Sequence, residues 1–153
     1  MLIFPGSSRT REELPDRLTQ HSLSFGPHYD PTNLRFGLLV CHNDDLLQPG
    51  AGYPDHPHSN LEVVTWVLDG TLVHRDSKGV HGTINPGQIQ VMSTGSGIVH
   101  SEFADAASGP TRFIQAWILP DETGTAPRYQ HTDLTLDDGW QPVASGSHAD
   151  AVR

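Results

Sequence analysis

Two short motifs carry side chains that bind metals, His56-Pro57-His58 and His100-Ser101-Glu102. Successive side chains of a strand point to opposite faces, so both members of each i, i+2 pair project the same way. On facing strands the two pairs would converge three imidazoles and one carboxylate on one point. That set suits a divalent first-row metal: imidazole favours iron, copper, nickel or zinc, and one hard carboxylate keeps iron and manganese in play. A single HxH among ten histidines in 153 residues arises readily by chance. The second pair gives the first its weight, because it ends the Gly-rich approach GSGIVHSE, which reads as a turn feeding a strand. The competing reading makes Glu102 a solvated strand residue and His100 a satisfied core histidine. His21, His28, His42, His74, His81, His131 and His148 lack partners at ligand spacing and are expected on the surface.

The elements that must hold these motifs read as short strands. From Asn33 on, the apolar stretches LRFGLLVC, EVVTWVL, TLVHR, IQVM, GIVHSEF and RFIQAWIL recur between turn signals at Asp69-Gly70, Asp76–Gly79, Asn85–Gly87 and Ser93–Gly97. Many short strands punctuated by Gly and Pro predict an all-β sandwich or closed barrel. EVVTWVLDGTLVHR reads as a hairpin turned at Asp69-Gly70. Residues 11–20 could form a turn or two of helix, interrupted by Pro15 unless that residue opens it. Trp66, Phe113 and Trp117 lie on predicted strands, where core packing is the first expectation and a pocket wall the second. Gln90 and Gln115 alternate with apolar residues and could face either way. Cys41, the single cysteine, follows Leu38, Leu39 and Val40 and reads as a small buried strand residue; it excludes an internal disulfide and fits a reducing, cytoplasmic compartment.

HPHSNLEVVTWVLDGTLVHRDSKG followed by INPGQIQVMSTGSGIVHSE resembles the core of the pirin family, metal-binding members of the cupin superfamily. FGPHYDPTNLRFGLLVCHNDDLLQPGAGYPDHPH and QAWILPDETGTAPRYQ resemble what flanks that core, so the likeness covers roughly residues 20 to 130. It implies a single jelly-roll domain over residues 1–130, with the metal ligands on His56, His58, His100 and Glu102. Other cupins take their glutamate from the first motif, here Glu62. An extended run from His58 would put Glu62 on the same face, so Glu62 stays a rival or a supporting neighbour. The implied cofactor is one divalent transition metal, Fe(II) first, with Mn, Ni, Cu or Zn as alternatives. Pirins usually carry two cupin domains, and residues 131–153 resemble the opening of a second.

Composition narrows the function further. A chain of this length suits one domain able to bury a core. No apolar run approaches the ~18 residues of a membrane span, and the N-terminus lacks a signal-peptide layout. The formal charge of −9 disfavours contact with a nucleic-acid backbone. The resemblance then implies a metal-dependent dioxygenase like the pirin-type quercetin 2,3-dioxygenases, opening a flavonol ring with O2 and releasing CO, with Glu102 doubling as general base. The alternative it implies is a non-catalytic, metal-loaded regulator that binds a transcription factor or metabolic enzyme. An apolar face left without its usual second domain predicts self-association as a homodimer.

Overall fold

The computed structural model describes residues 4–134 and 142–145, and nearly all regular structure among them is strand. After a 3₁₀ turn at Gly6–Ser8 the chain forms β1 (Thr10–Leu14), β2 (Arg17–His21), β3 (Leu39–Leu47), β4 (Gly52–His58), β5 (Glu62–Asp69) and β6 (Leu72–Asp76). It continues through β7 (His81–Ile84), β8 (Gln88–Ser93), β9 (Ile98–Ala104), β10 (Thr111–Ile118) and β11 (Arg128–Asp133). These make a seven-stranded sheet in the order β1-β2-β3-β10-β5-β8-β11 and a four-stranded sheet in the order β4-β9-β6-β7. This two-sheet, all-β sandwich is the expected cupin architecture. Among the described residues no helix is long and apolar enough to cross a membrane.

Between the sheets the core is layered. One apolar cluster joins Leu47, Val67 and Phe113 of the large sheet to Leu72, Ile84 and Ala104 of the small one. A second joins Val63 and Met92 to Ile98. In the large sheet, Val67 lies beside Phe113, and Val63 beside Trp117 and Met92. The row between them is polar: Thr65 is flanked by Gln115 on β10 and Gln90 on β8, all three buried. Burying unpaired amides is costly, so a polar belt between two apolar layers needs partners across the sandwich. The site supplies them.

Several local expectations fail for definable reasons. Residues 11–20 are not helical. They form the antiparallel pair β1–β2, turned at Pro15-Asp16. Asp69-Gly70 is a turn, but β5 and β6 do not pair; the chain crosses there from the large sheet to the small one. Gly70 (φ 75°) makes that crossing against the backbone of Pro110 and Thr111, where a Cβ would lie 2.5 Å from the Pro110 carbonyl oxygen. The stretch from Leu34 begins its strand only at Leu39 and carries it through polar His42, Asn43, Asp44 and Asp45. Cys41 is buried as expected, and burial, then the charge of Asp45, pushes its thiol up to about 12. Most of the tail at residues 131–153 lies outside the described residues.

Candidate metal centre

β4 and β9 are neighbours, and their pairing sets His56 directly opposite His100. The register slips between Tyr53 and His56, so the extra residue in the Pro54-Asp55 stretch brings Tyr53 opposite Glu102. Cross-strand partners share a face, as do residues two apart on one strand. His56, His58, His100 and Glu102 therefore share the inner face of the small sheet. Ring centroids are 4.4 Å apart for His56 and His100, 4.9 Å for His56 and His58, and 5.0 Å for His58 and His100. One potential ligand atom from each of these three histidines lies within 4.8 Å of the others. Glu102 makes a second group of the same tightness with His100 and His74, the latter on β6. His100 is common to both.

The chemistry of the donors fits a metal. The His56 Nδ1–H donates to the Pro54 carbonyl oxygen at 2.8 Å, leaving the Nε2 lone pair free. Holding a ring nitrogen this way fixes the tautomer a metal ligand needs. Burial, then the neighbouring His100 and His56, lowers the His58 pKa to about 4. Burial, then His56 and His74, lowers that of His100 to about 3. Both imidazoles are thus neutral near pH 7 with a lone pair to give. His100 is 1% exposed, and its Nε2 has no hydrogen-bond partner.

Glu102, 2% exposed, is held from the opposite sheet. Gln115 Nε2 donates to Oε2 at 2.9 Å and to Oε1 at 3.2 Å, and Gln90 Nε2 reaches Oε1 at 3.4 Å. Trp117 Nε1 donates to Gln115 Oε1 at 2.8 Å, so the Gln115 amide must turn its nitrogen toward Glu102. Among the described residues no Lys or Arg pairs with Glu102. A buried carboxylate held only by amides lacks a counter-charge. A cation beside His100 would supply it. A cavity of about 370 Å³ reaches His58 past Pro57, Ser59, Ser77, Gly97, Ile98 and Val99.

A family model described as Pirin matches residues 7–118. The chain belongs to the pirin family. A Mycobacterium tuberculosis relative, provisionally named a quercetin 2,3-dioxygenase, is 48% identical over 131 residues, covering 84% of this chain and 54% of its own. The Escherichia coli protein named quercetin 2,3-dioxygenase is 39% identical over 125 residues, covering 82% and 54%. The solved structure of an E. coli bacterial pirin in complex with nickel(II) superposes with a TM-score of 0.82 at 34% identity, covering 86% of this chain and 57% of that one. The chain spans about half the length of the curated relatives it matches. Together with the histidine and glutamate cluster, the nickel-bound pirin supports a single divalent metal here.

Against this pirin framework, several other residues fall differently from expectation. Glu62 does not approach the histidines. β4 ends at His58, Asn60 takes a left-handed turn (φ 53°), and the chain changes sheets before Glu62. Alternation with buried Val63, Thr65 and Val67 then puts Glu62 on the outer face, where it accepts from Ser93 Oγ at 2.5 Å. That face carries a separate cavity of about 470 Å³. Trp66 is 38% exposed on the same face, whereas Phe113 is core and Trp117 packs edge-on to His58 at 4.8 Å. His81 and His131 are exposed as expected, but His21 and His74 are buried and His28 and His42 half-buried; His148 lies outside the described residues. The signal for His74 was present in His74-Arg75-Asp76, a third His-x-ligand pair two residues after the core residue Leu72.

Proposed function

We propose that His56, His58, His100 and Glu102 hold one divalent metal, Fe(II) in the working protein, in a quercetin 2,3-dioxygenase-like enzyme that opens a flavonol ring with O2 and releases CO. One observation carries the reading: the bare, buried Nε2 of His100 belongs to a residue that groups with His56 and His58 on one side and with the Glu102 carboxylate on the other. The names of the relatives support the choice of reaction. A bound metal there supplies a Lewis acid with a coordination position left open for substrate. The protein's own groups do the rest. Glu102 takes the proton of the flavonol hydroxyl as general base. Trp117 and Gln115 keep that carboxylate aimed. Both atoms of O2 enter the opened product, and the excised ring carbon leaves as CO.

The test is metal analysis followed by anaerobic loading and oxygen uptake with a flavonol panel. Oxygen should be consumed only with a flavonol present, with CO released. Glu102→Gln keeps the size and removes the base, so turnover per bound metal should fall by the ~10²–10⁴-fold typical of general-base loss. A fully loaded chain that turns over no flavonol with Fe, Mn, Ni or Cu would sink the oxygenase reading and leave the metal-loaded, partner-binding alternative.

A further inference from the structure

His74 sits within reach of the metal centre, yet both of its ring nitrogens face protein partners. Its side chain is fully buried on β6, opposite Glu102 on β9. Its Nε2 lies 3.3 Å from Asp76 Oδ2, and both side chains are completely shielded from solvent. The other Asp76 oxygen, Oδ1, accepts the backbone N–H groups of Lys78 at 2.8 Å and Val80 at 3.1 Å. A carboxylate so occupied acts as an acceptor, so His74 Nε2 carries the proton and donates. With Nε2 donating to Asp76, Nδ1 is the ring nitrogen left to accept. It faces His100 Nδ1 at 3.5 Å. His100 must therefore donate from Nδ1, which places its lone pair on Nε2, the buried atom left without a protein partner.

We infer that Asp76 and His74 form a polar chain that fixes the tautomer and orientation of His100, making His74 a positioning residue for the metal ligand rather than a ligand itself. The inference rests on the metal site proposed above. Carboxylate–histidine support of a metal-bound imidazole is a general device, and losing such support costs ~10–100-fold in metal affinity. Here the device is longer by one imidazole. Tyr129, from β11 of the opposite sheet, stacks on the His74 ring at 4.6 Å and 28°, which clamps its plane. Asp76 lies directly opposite His100 in the β6–β9 register, so one strand pair positions the whole chain.

Ni(II) affinity, measured by chelator competition on the full chain, separates this role from packing. His74→Phe keeps a ring against Tyr129 but accepts nothing from His100, and Ni(II) binding should weaken ~10–100-fold. His74→Asn keeps an acceptor oxygen where Nδ1 stood and should recover most of that loss. Asp76→Asn leaves an acceptor without charge and should fall between wild type and His74→Phe. Thermal unfolding of the metal-free variants identifies any variant whose fold is damaged, and the Co(II) absorption spectrum, which follows ligand geometry, should shift in His74→Phe and return in His74→Asn. Wild-type affinity in His74→Phe, or no recovery in His74→Asn, overturns the inference while leaving the metal site standing. A wild-type chain that binds no Ni(II) removes both.

Discussion

At the scale of single residues, the site divides into groups that offer lone pairs and groups that aim them. Replacing His56, His58 or His100 with Ala should reduce metal affinity by more than the ~10–100-fold expected for a supporting neighbour. His81→Ala, exposed on β7, should leave it unchanged; equilibrium dialysis of all four variants decides the matter, and equal losses in the four would point to unfolding. The depressed pKa values of His58 and His100 add a pH dependence. Both side chains would protonate near 6.5 in an unfolded chain, but only near about 4 and about 3 in the fold. Between those limits the unfolded chain binds more protons, so these two groups make the metal-free fold less stable as pH drops below 6.5 and contribute no slope at higher pH, where they are neutral in both states. Replacing His58 with Asn should make the acid-side decline in Tm shallower, and an unchanged decline would show that burial of this imidazole is not responsible.

At the scale of strands, the centre depends on how closely β4 and β9 approach. A Cβ at Gly52 would fall 2.1 Å from the Glu102 carbonyl oxygen and 2.6 Å from Phe103 Cα. Gly52→Ala must therefore push the two strands apart. Stability should drop by at least the ~1–3 kcal/mol of an overpacked core, and metal affinity with it. Gly6→Ala, with open space around it, should stay within ~0.5 kcal/mol. Denaturant unfolding of both variants, with metal titration, checks the pair. These strands also mark how far the sequence could be read. Period-two spacing put His56 with His58 and His100 with Glu102 on common faces, because alternation is local to a strand. It failed for Glu62, since the left-handed turn at Asn60 moves the chain to the other sheet and no pattern within EVVTWVL reports that. Asp69-Gly70 likewise signalled a turn without naming the sheet the chain would join. His74 was read as a surface residue for want of a partner at ligand spacing, although Asp76 stands two positions later and Leu72, two positions earlier, is buried.

At the scale of the whole molecule, the outer face of the large sheet is the feature that bears on assembly. It exposes Trp66 and Leu68, and its cavity is lined by Val64, Ile118 and Leu119, next to the patch where Val143 and Ala144 cover buried Val91. Apolar surface of this kind on a small domain usually meets a partner. Here a second copy of the chain is the expected one, giving a symmetric dimer in sedimentation at high micromolar concentration. Trp66→Glu should shift that equilibrium to monomer without changing metal content, whereas a monomeric wild type would show the face already satisfied. The two sheets also divide the interior unequally. The four proposed ligands sit on β4 and β9 with the His74–Asp76 pair beside them on β6, whereas Thr65, Gln90, Gln115 and Trp117 come from the opposite wall. Substitutions on that wall would change what surrounds Glu102 and His58 while leaving the strands of the proposed ligands untouched, so one donor set can be inherited beneath different linings.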